Sequence, residues 1–201
     1  MTEDLTPPTD RTTDDEFDLR EAPKWPKVVG IISIVWGALG LLCGVGGLAM
    51  MPLSSSFMEP MLEGDPPPPT VSFGPVDYGL AALGPVLAIL LIAAGIMTIN
   101  RKRAGWAGHL LYACISIPLL LFATYNNFQK QAGLEQWAQD YPANKYAEMI
   151  SKSQGMQQTA GAVTAIVMLV IFLAYPLFCL IWFGLMKTKH EQMTGGVEEV
   201  F

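Results

Sequence analysis

Four stretches of this chain hold no Asp, Glu, Lys or Arg: residues 28–51, 78–99, 106–125 and 160–186. Charged residues make up about a quarter of an ordinary globular domain. Here they make up 15%, against 51% hydrophobic residues. At ~1.5 Å rise per residue each neutral stretch is about 30 Å long or more, enough to cross the hydrocarbon core of a bilayer as a helix. The missing charge also excludes function classes. Proton-coupled transport and intramembrane metal chemistry ordinarily place ionisable side chains at membrane depth.

Other absences narrow the chemistry further. The three cysteines, Cys43, Cys114 and Cys179, all fall inside neutral stretches, so they read as small apolar residues. Outside short membrane flanks there is no basic face, which removes nucleic acid as a partner. The glycine-rich run lacks the Lys-Ser/Thr end of a phosphate loop. Glu59, Glu63, Asp65 and Asp77 match no calcium-loop spacing. No Asn-x-Ser/Thr acceptor occurs. The first apolar run begins only after an acidic segment and is too long for a signal sequence, so no cleavable signal is expected. No catalytic residue, cofactor or metal site is expected.

What is present is a pattern of small residues. In the first stretch Gly30, Ser33, Gly37, Gly40, Gly44 and Gly47 follow at steps of 3, 4, 3, 4 and 3. These are heptad a and d positions, so they form one stripe on a helix. Lipid tails do not drive apolar helices together, and close backbone packing along such a stripe does. In the second stretch Ala81, Gly84, Ala88 and Gly95, extended to Thr98 and interrupted by Leu91, repeat the theme. The expectation is a helical hairpin in which Gly30–Gly47 presses on Ala81–Thr98. A lipid seated on the smooth face is the competing reading.

The chain divides into an acidic tail, 1–23, a four-helix transmembrane domain, 24–189, and a short tail, 190–201. Eight of the 18 acids precede residue 23, in a Thr/Pro-rich segment that cannot bury enough apolar surface to fold alone. Lys24, Trp25, Lys27, Arg101, Lys102, Arg103, Trp106, Trp182, Lys187 and Lys189 are the expected interface anchors. Together with Arg11 and Arg20, the cations among them put nine of the 12 bases on one side of the membrane. Lys130, Lys145 and Lys152 lie on the other. The positive-inside rule then places both termini and the Arg101–Arg103 turn in the cytoplasm of a plasma (inner) membrane protein. The outer loops are 52–77, with a stiff Pro66–Pro69 piece, and 126–159. The second reads as a helical hairpin broken at Asp140-Tyr141-Pro142, with Leu134, Trp137 and Tyr141 facing Tyr146, Met149 and Ile150. Gly133 and Gly155 weaken it. The fold class is therefore all-α: a four-transmembrane-helix bundle with an extracytoplasmic helical hairpin between helices 3 and 4.

Within the spans the buried polar candidates are Ser33, Thr98, Ser116, Thr124 and Thr164, which in helices usually bond back to their own backbone. Ser33 and His109, both near the cytoplasmic edge, are the one conceivable nucleophile–base pair, without an acid to orient it. The order of parts, resting on GIISIVWGALGLLCG and NRKRAGW, resembles that of small bacterial four-helix membrane proteins and is similar in layout to tetraspan proteins. The outer-loop cysteines of tetraspanins are missing, so the resemblance implies no functional residue. The expected function is that of a non-enzymatic membrane scaffold or accessory subunit, associating with a second copy or a membrane-protein partner in the lipid bilayer. The alternative is a small channel, carrier or lipid-binding protein without charge coupling.

Overall fold

The computed structural model describes residues 24–185, of which 153–162 and 165 are described by backbone alone. The two tails, with Lys187 and Lys189, lie outside the described residues. Within them are four long helices, α1 (Trp25–Leu62), α2 (Pro75–Ile99), α3 (Arg103–Asp140) and α4 (Lys145–Cys179), and α4 continues directly into a π-helical turn, Leu180–Leu185. Each carries a stretch long and apolar enough to cross a membrane. Helices suit that setting because every mid-helix backbone group is bonded within its own segment. The chain has the build of a multi-pass membrane protein.

Local chemistry explains most boundaries. Pro26 lies in the first turn of α1, where a missing amide donor costs nothing. Asp77 starts α2 by accepting the Gly74 amide at 2.7 Å, with Pro75 in the first turn. At the other end of α2 the Lys102 amide donates to Met97 O at 2.9 Å and the Arg101 amide to Thr98 O at 3.0 Å. This is a Schellman closure, and it holds Arg101 at φ 56°. Asn144 caps α4 by accepting the Tyr146 amide at 2.9 Å.

One boundary differs from the sequence reading. Residues 52–62, expected as loop, prolong α1 through Pro52 and Pro60. Each proline removes a helical donor. The hydroxyls of Ser54 and Ser55, both at 2.8 Å, bond back to Met51 O and Pro52 O. The helix ends where Leu62 is buried, and Glu63 at φ 52° and Gly64 at φ 99° reverse the chain. At 38 residues α1 is roughly 57 Å long, so nearly half of it lies beyond a ~30 Å hydrocarbon core.

The extra length builds a cap at the end of the bundle remote from Arg101–Arg103. Leu62, Trp137, Ala147 and Ile150 are its core, with Leu134, Ala138, Tyr141 and Tyr146 around them. Met149, expected to face inward, is half exposed. The link between α1 and α2 is stitched over this hairpin. Trp137 Nε1 donates to Pro66 O at 2.9 Å, and Asn144 Nδ2 donates to Leu62 O at 3.0 Å and Asp65 Oδ2 at 2.9 Å. Lys130 pairs with Asp77 at 2.8 Å, and Asn126 donates to the same carboxylate at 3.0 Å. Gly133 has a positive reason to be glycine, since a Cβ there would stand 3.2 Å from the Pro69 ring.

Candidate functional site

The glycine stripe divides into three parts. A Cβ on Gly30 would meet Gly95 O at 2.7 Å, and one on Gly37 would meet Ala88 O at 3.0 Å. One on Gly44 would meet the Pro85 ring at 2.9 Å. Reciprocally, a Cβ on Gly95 would stand 2.8 Å from Gly30 O and 2.9 Å from Ser33 Cβ. Here α1 and α2 touch backbone to backbone. Gly40 is in ordinary contact with Ala88 Cβ, at 3.6 Å. Gly47 and Gly84 have nothing within 4 Å, so the stripe does not continue as a helix contact at those two positions. Ala81 is half-buried. A second tight contact, between α2 and α3, was not read from the sequence. A Cβ on Gly105 would lie 2.7 Å from the Thr98 amide, and one on Gly108 would lie 2.8 Å from Ala94 Cβ. Its signal, a short Gly-x-x-Gly, sits among polar flanks that obscure it.

At the basic end, Lys24, Lys27, Lys102 and Arg103 are exposed, while Trp25, Arg101, Trp106 and Trp182 are half-buried. Trp25 meets Trp182 edge-on, with ring centroids 6.1 Å apart, and Trp106 Nε1 donates to Phe183 O at 2.8 Å. The anchors thus also join α1, α3 and the π-helical turn.

Just inside this aromatic layer one side chain from each helix meets at His109. Ser33 Oγ of α1 lies 2.7 Å from His109 Nε2, and Tyr175 Oη of α4 lies 2.6 Å from Ser33 Oγ. Thr98 Oγ1 of α2 is 3.4 Å from His109 Nδ1, which is 2.7 Å from Gly105 O. A carbonyl can only accept, so Nδ1 carries the proton and Nε2 is a bare acceptor. Ser33 then donates to Nε2, sharing its proton with Val29 O at 2.7 Å, and Tyr175 donates to Ser33. Ser33, Thr98 and His109 are fully buried. Phe183 stacks on the imidazole at 4.5 Å between centroids. The Ser33–His109 pair therefore forms, with a backbone carbonyl where a hydrolase would place a carboxylate. The serine hydroxyl is enclosed, and Ser33 is not among the walls of the cavity that lies toward the cap. Tyr175 was not singled out from the sequence, because one tyrosine in an apolar run reads as packing. Thr164 is exposed, Thr124 bonds back to Leu120 O at 2.8 Å, and Ser116 is buried.

Toward the cap the four helices separate around a cavity of about 560 Å³. Gly37, Gly40 and Gly44 of α1, Gly84 and Leu87 of α2, Tyr112 and Leu120 of α3, and Phe172 and Pro176 of α4 are among its walls. It exists because α4 leans on α3 and reaches α1 through Trp25, Ser33 and Trp36 at the basic half. Further along, Val163, Ile166, Val170 and Phe172 are exposed. The few polar wall groups are those of Trp36, Tyr112 and Ser116. The cavity falls within the 300–1,000 Å³ range of small-molecule sites. Among the described residues no group of three His, Cys, Asp or Glu could hold a metal ion.

On the cap, titration follows local partners. The hydrogen bond and charge of Glu63 raise Lys145 above its ordinary value, and those of Lys152 hold Glu148 below its own. Burial raises Tyr146.

The fold and site define a four-helix multi-pass membrane protein with a polar knot at one end of the bundle and an apolar cavity above it. No protein-family model, curated protein or solved structure matches the chain.

Proposed function

We propose that the protein is a non-enzymatic tetraspan membrane protein that receives a lipophilic molecule in the cavity between its helices, which places the lipid-binding alternative ahead of the scaffold. The observation that carries the reading is the cavity of about 560 Å³ with nearly wholly apolar walls from all four helices. Removing an apolar chain from solvent or from a mobile bilayer into preformed walls needs little else. A through-channel is less well supported, because the Ser33–His109–Tyr175 knot and the Phe183 and Trp25 rings fill the basic end. The cation distribution supports both termini in the cytoplasm of an inner membrane, which makes the cap extracytoplasmic. The scaffold reading keeps one specific observation, the cross-linked cap, a platform of fixed shape for a partner or a second copy.

The test is to fill the cavity where filling disturbs nothing. Gly84 lines it and has no neighbour within 4 Å of an added Cβ. Gly84→Leu is expected to leave the folded bundle intact and to abolish retention of apolar ligands through purification into lipid nanodiscs, read by mass spectrometry of the extracted lipids. Equal retention by wild type and Gly84→Leu refutes the reading.

A further inference from the structure

The cavity is apolar except in one place, and that place has a chemical sign. Tyr112 and Ser116 stand one turn apart on the same face of α3, and both line the cavity together with Trp36. The indole N–H donates and never accepts. Ser116 is held only loosely by its own helix, at 3.5 Å from Ala113 O, so its proton is free to turn into the cavity. Three groups able to donate thus line a wall that otherwise offers hydrocarbon, from Leu80, Leu87, Leu119 and Leu120 among others.

The depth of this trio limits what can reach it. Ser116 lies 13 residues along α3 from Arg103, or roughly 20 Å at the helical rise, which is near the middle of a ~30 Å core. A charged headgroup would have to leave the interface to arrive there, and the bilayer centre disfavours charge strongly. Phospholipids and ionised fatty acids are therefore poor fits for the polar spot. An uncharged acceptor on a hydrocarbon chain fits both the donors and the depth.

We propose that the cavity selects a neutral lipophile bearing a carbonyl group, with the carbonyl oxygen accepting from the Tyr112 and Ser116 hydroxyls and the hydrocarbon lying toward the cap. This rests on the reading of the cavity as a lipophile site and adds the class of ligand. The test uses full-length protein in nanodiscs and two radiolabelled probes, 2-tridecanone and tridecane. They have the same chain length and differ in the carbonyl. Wild type is expected to bind the ketone about tenfold more tightly, the size of one net hydrogen bond. Tyr112→Phe/Ser116→Ala keeps the shape of the wall and is expected to remove that preference while tridecane binding stays as it was. Equal binding of both probes by wild type, or a preference that survives in the double variant, overturns the carbonyl proposal and leaves the lipophile site standing. If neither probe binds wild type, the lipophile reading falls with it. Gly84→Leu, expected to lose both probes, controls for binding to the surrounding lipid.

Discussion

Replacing Gly95 by alanine is the sharpest test of how α1 and α2 are held together. The new Cβ would stand 2.8 Å from Gly30 O, 2.9 Å from Ser33 Cβ and 3.0 Å from Ile34 Cγ1. The first is backbone and the second is fixed to it, so no flexible side-chain end can swing aside. The helices must part locally, and overpacking of that kind costs about 1–3 kcal/mol. Against this, alanine is favoured over glycine in a helix interior by about 1 kcal/mol. Gly47→Ala collects the second effect without the first, because nothing lies within 4 Å of it. Gly95→Ala should then be less stable than Gly47→Ala by about 1–3 kcal/mol. The assay is reversible unfolding in mixed micelles of rising anionic-detergent fraction, followed by near-ultraviolet circular dichroism. If the two variants unfold within about 0.5 kcal/mol of each other, the spread expected of substitutions that touch nothing, the close approach of the two backbones is not what holds this hairpin.

Ser33→Ala removes the centre of the polar knot and leaves His109 Nε2 and the Tyr175 hydroxyl without their common partner. It should cost about 1–3 kcal/mol in the same unfolding assay, and less when made on a Tyr175→Phe background, where only His109 Nε2 loses its partner. Asn144→Ala loses the α4 cap together with the bonds to Leu62 O and Asp65. It is expected to cost about 1–2 kcal/mol at the cap, seen as faster amide exchange over 134–150 with exchange in the spans unchanged. Glu63 raises the Lys145 ammonium above its ordinary 10.5, so this pair contributes fully below that value and is lost as pH rises through the raised one. Cap stability should be flat from neutral pH to about 9 and decline above 10.5. Lys145→Gln should lessen that decline, leaving the part due to Tyr146, whose phenol is also raised above 10.0 by burial, and an unchanged decline in the variant would refute the role of the pair.

The helices were legible in the sequence because lipid imposes a simple demand: long neutral runs with their backbones bonded internally. The spacing of Gly30, Gly37 and Gly95 was legible for a related reason, since only missing side chains permit main chains to touch. The continuation of α1 past Pro52 was not, because what holds it is a cap built with residues far along the chain, Trp137, Asn144, Ala147 and Ile150. The knot was half legible. Ser33 and His109 stood out as polar groups in apolar runs, but their partners are a tyrosine and a backbone carbonyl, neither of which has a distinguishing sequence context. The cavity was not legible at all. Its walls are ordinary leucines, glycines and aromatics, and it arises from the lean of α4 on α3, which no local periodicity encodes.

The same glycine stripe meets two different environments along one helix, and that contrast bears on what fills the cavity. From Gly30 to Gly37 the absent side chains are replaced by the backbone of α2, so no volume is left over. Further along, Gly40 and Gly44 form part of the cavity wall, and across from them at Gly84, where an added Cβ would meet nothing within 4 Å, the absent side chain enlarges the space between helices. A dry void of this size would forfeit the dispersion contacts of every wall atom, and water would find almost no polar group there to bond. Within a membrane the cheapest filling is hydrocarbon. On the proposed reading the occupant enters beside α4, where α1 and α4 part, and stops at Trp36 and Tyr112. Below them Tyr175, Ser33 and His109 have satisfied one another's hydrogen bonds and offer none to a passing molecule. The arrangement suits a pocket that holds its guest on one side of the bilayer better than a path that conducts it across.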